Sequence, residues 1–174
     1  MEPVQYDPRY LQGIALFNDF EFFESHEVWE ELWSEVTDES RKFYQGLIQM
    51  AVCLHHFGNG NIGGARKLYH SSRKYLEPYR PKYLGLDLDR VLRQFDACCA
   101  EIVASEERYP DIEIDADLIP KIQLVFPTTP AGGVNFFFRP QFFSRMQGFA
   151  PPSKYVQSAN QLHFRGFTWL IQML

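Results

Sequence analysis

Between Arg41 and Phe57 the chain reads RKFYQGLIQMAVCLHHF, and a helix drawn through this run is apolar almost all round. Phe43, Leu47, Met50, Leu54 and Phe57 recur at steps of four and three, and Tyr44, Ile48, Ala51, Val52 and Cys53 fill other sides. Beyond the first turn, one narrow polar stripe of Gln45, Gln49 and His56 interrupts the pattern, while His55 falls between Tyr44 and Ile48. A helix with so little surface for water has to be central, with other elements packed around it. Gly46, which costs about 1 kcal/mol relative to alanine inside a helix, implies a close helix crossing.

The flanking sequence supplies amphipathic helices to surround it. Pro8–Asn18 carries Tyr10, Leu11, Ile14, Leu16 and Phe17 at roughly helical spacing, with Pro8 near the first turn. In Phe22–Val36, Phe22, Val28, Trp29, Leu32, Trp33 and Val36 fall on one arc and Glu24, Glu27, Glu31 and Glu35 on the opposite one. Thr37 or Asp38 is placed to cap the central helix. Asn61 is placed to cap Ile62–Leu76, whose buried face is Ala65, Leu68, Tyr69, Ser72 and Leu76 and whose remainder carries Arg66, Lys67, Arg73 and Lys74. Gly63 and Gly64 suggest a close backbone approach. Pro78–Gly85 reads as a loop, and Asp87–Val103 as a fifth helix on Leu88, Val91, Leu92, Phe95, Cys98 and Ile102. Tyr109–Leu118 alternates acids with isoleucine, as an extended segment does. The predicted fold is all-α: about five compact antiparallel helices joined by short turns.

The character of the chain changes after about residue 122. Asp117 is the last acidic residue, and the five basic residues that follow have no acid among them. Pro127–Pro130 and Gly132-Gly133 read as linker, and Val134–Leu174 is basic and rich in phenylalanine, with a candidate helix over Asn160–Leu174. The expected division is therefore 1–122 as the helical domain and 123–174 as an extension, either packed on the domain or disordered. The acidic domain disfavours nucleic acid, whose phosphates need a basic face. A protein partner or a second copy remains open. No apolar run approaches the roughly 18 residues of a membrane span, and no charged start leads into an apolar signal region. Cys53, Cys98 and Cys99 make no disulfide framework. Together these predict a cytoplasmic domain with free buried thiols.

One polar set stands inside the apolar pattern. His26 and Glu30 border the apolar arc of the second helix, one turn apart, whereas Glu27 turns toward water. Gln45, Gln49 and either His55 or His56 can face them from the central helix, and Asn61 follows. Three readings are open. As a buried hydrogen-bond network, the groups would satisfy one another and fix the helix register. As a pocket for a small polar ligand, they would be walled by Trp29, Trp33 and Tyr44. As a site for a divalent transition metal, His26 and Glu30 would share the ion. Zincin peptidases need a second histidine where Glu30 stands, and di-iron bundles use Glu-x-x-His on two helices, so the set departs from both recipes.

The runs FNDFEFFESHEVWEELW and FYQGLIQMAVCLHHFGNGNIGGARKL carry a resemblance. Phe17, Asn18, Phe22, Phe23, His26, Glu27, Glu30 and Trp33 resemble a first block of the domain of unknown function 309 family. Phe43, Gln45, Gly46, Leu47, Ile48, Gln49, Ala51, His55 or His56, Gly60, Asn61, Gly64, Ala65 and Leu68 resemble its second. Tyr83, Gly85 and Asp87 resemble a later Y-x-G-ψ-D motif, where ψ is apolar. The resemblance spans roughly residues 8–105; it implies a compact helical fold and no established activity. The expectation is a non-enzymatic helical binding or interaction domain, with a buried His/Glu/Gln cluster between the second and third helices. The alternative is a metal-dependent, hydrolase-like enzyme using His26, Glu27, Glu30 and a histidine of the third helix.

Overall fold

The computed structural model describes residues 5–107 and 110–125. The helical reading holds closely. Helix α1 spans Pro8–Asn18, α2 Phe22–Glu35, α3 Ser40–Gly58, α4 Ile62–Leu76 and α5 Leu88–Ala104. Among the described residues none of these helices is long and apolar enough to cross a membrane. The candidate extension Val134–Leu174 and its helix Asn160–Leu174 lie outside the described residues.

The termini follow from local chemistry. Asp7 accepts from the amide of Arg9, with Pro8 in the first turn of α1. Of the two candidate caps for α3, Asp38 serves: its Oδ1 accepts from the amide of Ser40 at 2.8 Å and its hydroxyl at 2.6 Å. Asn61 caps α4 by accepting from the amide of Gly64 at 3.1 Å, and Asp87 caps α5 through Arg90 N at 3.0 Å. Gly64 is small for that cap, because a Cβ there would come within 2.7 Å of Asn61 Nδ2. Gly63 has open space around it instead, so the expected close approach at this glycine pair is a capping effect at Gly64 alone.

Helix α3 is central, as its apolar circumference requires. Phe43, Leu47, Met50, Ala51, Cys53 and Leu54 are fully buried, with α2 and α4 packed against it. Both tight crossings in the bundle use a serine and a glycine. Between α1 and α2, Ser25 Oγ donates to Gly13 O at 2.9 Å, and Trp29 Nε1 donates to Tyr10 O at 3.2 Å. Between α3 and α4, Ser72 Oγ donates to Gly46 O at 3.0 Å. A helix carbonyl has a second lone pair after its intrahelical bond, and each buried hydroxyl satisfies itself there. Ser25 therefore belongs to the buried face of α2, while Val28 and Val36, expected on that face, are only half-buried.

Two segments depart from the sequence expectation. Pro78–Gly85 is not a plain loop: it holds most of a 3-10 turn at Glu77–Tyr79 and enters a hairpin in which β1 (Lys82–Tyr83) pairs antiparallel with β2 (Leu86–Asp87). Leu84 and Gly85 turn it at φ of 43° and 75°, the left-handed pair that a two-residue hairpin needs. Among the described residues between 110 and 118 no strand forms, and a 3-10 turn closes this stretch at Ala116–Leu118. Alternation alone did not make a strand: among the described residues nothing pairs with this stretch. Beyond it, residues 119–125 strap the bundle. Ile122 N donates to Asn18 Oδ1 at 2.8 Å while Asn18 Nδ2 donates to Ile122 O at 2.7 Å, so one side chain imitates a strand neighbour. Leu124 bridges Leu86, and Val125 N donates to Gly85 O at 2.7 Å.

Candidate functional site

Two contacts pin α2 antiparallel along α3. At one end the Phe23 and His55 rings lie 5.5 Å apart. At the other, the guanidinium of Arg41 lies 3.7 Å from the centre of the Trp33 ring and donates to Trp33 O at 2.5 Å and Val36 O at 2.8 Å. Arg41 thus satisfies the bare carbonyls at the C-terminus of α2, where a cation is also favoured by the helix dipole. Along this seam His26 stands beside the first pin, against the Phe23 ring, and Trp33 forms the second.

The seam holds the predicted residues in two groups. The histidine end contains His26, His55, His56 and Asn61. His26 Nδ1 bonds to Phe23 O within its own helix, and its ring meets Phe23 edge-on with centroids 4.7 Å apart. Asn59 Nδ2 lies 3.2 Å from His55 Nε2, and Asn61 Nδ2 lies 3.3 Å from His56 Nδ1. A carboxamide nitrogen only donates, so both imidazoles accept there and are held neutral. Burial pushes the His55 pKa below the usual histidine value, with the nearby His26 adding to the effect and Glu24 opposing it. Burial, then His55, does the same to His56.

The other group is Glu30, Trp33, Gln45 and Gln49. Glu30 and Gln45 are half-buried. Trp33 is 9% exposed and Gln49 4%, and among the described residues neither Trp33 Nε1 nor Gln49 Oε1 has a hydrogen-bond partner. Trp33 on α2 thus holds a buried donor and Gln49 on α3 a buried acceptor, each lacking among the described residues the partner that buried polar atoms ordinarily find. The mutual network that the sequence allows is not closed: Gln49 Oε1 is unbonded and His26 turns to its own helix. Glu27 is exposed on the outer face of α2 and takes no part in the seam. Among the described residues no three His, Cys, Asp or Glu side chains group to hold a metal ion.

Sequence reasoning missed Phe23, Asn59 and Arg41 as parts of this seam. Phe23 and Asn59 carried a usable signal, lying three residues before His26 and four after His55 on consecutive turns. Arg41 carried none, because its partners lie across the α2–α3 turn.

The neutral histidines set a pH dependence. The unfolded chain takes up protons on these histidines near pH 6.5, before the folded chain does. Stability from His55 and His56 is therefore fully present above that pH and falls as the pH drops below it. Proton NMR titration of their rings will show midpoints below about 6.5, the ordinary histidine value. Midpoints at or above it would contradict the packing described.

Residues 10–68 match the model of the family described as Domain of unknown function (DUF309), and every predicted site residue lies inside that span. YpuF, an uncharacterized protein of Bacillus subtilis strain 168, is 36% identical over 101 residues, covering 56% of this chain and 58% of that protein. An uncharacterized protein of Aquifex aeolicus strain VF5 is 41% identical over 46 residues, covering 26% of this chain and 14% of that protein. The chain thus spans little more than half the length of the first relative and a small part of the second.

Proposed function

We propose, from the premise that the chain belongs through residues 10–68 to the DUF309 family, that these helices form a non-enzymatic binding module whose ligand seats in the α2–α3 seam. The observation that carries the reading is the pair of buried, unpartnered polar atoms, Trp33 Nε1 and Gln49 Oε1. Leaving a buried polar atom unbonded costs about 1–3 kcal/mol. A ligand that offers an acceptor to the indole and a donor to the amide recovers that cost on binding. The half-buried Glu30 and Gln45 add polar groups beside them. An amide, a lactam or the edge of a nucleobase carries both a donor and an acceptor of this kind. The three buried free thiols, Cys53, Cys98 and Cys99, support a reducing, cytoplasmic setting for the module.

Native mass spectrometry of protein freshly purified from cells tests this, with Trp33→Phe and Gln49→Leu beside the wild type. The wild type is expected to carry a non-covalent small molecule, and each variant to lose it. Each variant should also match or exceed wild-type stability in urea, because the substitution removes an orphaned group. No bound molecule in the wild type, or one retained by both variants, would refute the reading.

A further inference from the structure

Helix α2 exposes Glu24, Glu27 and Glu31, and α4 exposes Lys67, His70 and Lys74. Both triplets follow the same spacing, three residues and then four. At 100° per residue each falls within an arc of about 60°, and each covers about 10 Å of helix axis. One stripe therefore matches the other in spacing, with lysines at two of its three positions against the glutamates.

Each stripe is single-signed, which an ordinary solvated helix face is not. Solvated faces mix signs at positions i and i+4, so that neighbours attract. Here Glu27 faces Glu24 and Glu31, and the cationic stripe likewise contains no acid. The helix dipole accounts for Glu24 near the start of α2 and Lys74 near the end of α4. It does not account for Glu31, toward the C-terminal half of α2, or Lys67, in the N-terminal half of α4. Arg9 offsets little of the acidic stripe: it approaches Glu31 only to 3.9 Å, and its close bonds go to Asp7 and Glu35. Among the described residues the ion pairs of α4 use Arg73, with Glu77 and Asp96, and leave the exposed stripe outside them.

We infer that the chain associates with a second copy of itself by laying the acidic stripe of α2 on the basic stripe of α4. The contact is heterologous, so it closes into a ring or extends into a chain according to the rotation between copies. Two exposed lysine–glutamate pairs make a weak contact, suited to assembly at high local concentration. The inference is independent of a ligand in the seam, since none of the six residues lines it.

Sedimentation equilibrium of the full-length chain at roughly 100 µM, in low salt, reads the association. Two variants, Glu24→Lys/Glu27→Lys and Lys67→Glu/Lys74→Glu, change exposed helical positions, and circular dichroism verifies that each keeps its helices. Each variant alone should associate about tenfold more weakly or worse than the wild type. An equimolar mixture of the two should regain association, because a basic α2 then meets an acidic α4. A monomeric wild type overturns the inference. So does association that neither variant weakens, or weakening that the mixture does not reverse. A monomeric protein retained on heparin through Lys67 and Lys74 overturns it as well, and assigns the stripe to an anionic polymer.

Discussion

Gly13→Ala will destabilise the protein by about 2–4 kcal/mol, through overpacking and a lost buried hydrogen bond. The added Cβ would overlap Trp29 Nε1 and lie 2.5 Å from Cδ1 and Cε2 of the same ring. Trp29 is fully buried, so the indole has nowhere to retreat without displacing its neighbours. The indole nitrogen is the donor to Tyr10 O, and the serine that bonds Gly13 O belongs to the same crossing. Chemical denaturation measures the loss, and the fluorescence of Trp29 reports whether its packing changes. Gly63→Ala is the internal control. It puts the same methyl on a helix where nothing lies within 4 Å, and should stabilise by roughly 0.5–1 kcal/mol through helix propensity and a less flexible unfolded chain. Equal effects at the two positions would show that the α1–α2 crossing is not close.

Gly46→Ala is the second large effect, expected to cost about 1–3 kcal/mol. Its Cβ would fall 2.6 Å from Leu76 Cγ, 2.7 Å from Leu76 Cδ2 and 3.2 Å from Tyr75 Cβ. Leu76 is fully buried at the end of α4, and a flexible leucine can yield more than an indole ring, which places this cost below that at Gly13. Moving α4 outward would stretch the bond from Ser72 to Gly46 O. Coupling is therefore the sharper measurement. Gly46→Ala and Ser72→Ala should be non-additive in a double-mutant cycle, because both act on one crossing. Strict additivity would separate the glycine from the serine and contradict the arrangement.

The candidate site was only partly legible in sequence. Helical phase placed Trp33 and Gln49 in the interior and moved Glu27 to the outside, and all three positions hold. Phase gives direction around one axis and nothing about what a neighbouring helix presents. It allowed His26, Glu30, Gln45 and Gln49 to satisfy one another, yet His26 bonds within its own turn and Gln49 Oε1 is unbonded. The closest available acceptor, a backbone carbonyl three residues back, wins over a partner on another helix because reaching it orders only one side chain. Ser25, buried and bonded to Gly13 O, meets the same limit. A polar residue on an amphipathic helix reads as solvent-facing unless a carbonyl across the interface is known to be waiting for it.

By itself the sequence determined which segments are helices, that α3 is central, and that Asn61 caps α4. These depend on periodicity and on residues within one turn, where backbone geometry leaves few alternatives. Gly46 signalled a close crossing, but only the tertiary structure decided that α4 is its partner, that Gly13 marks a second tight crossing, that Asn18 fastens the strap at Ile122, and that Leu84-Gly85 turns a hairpin inside an apparent loop. Each joins groups whose meeting depends on the angle and distance between elements, and those are set by packing the whole core at once.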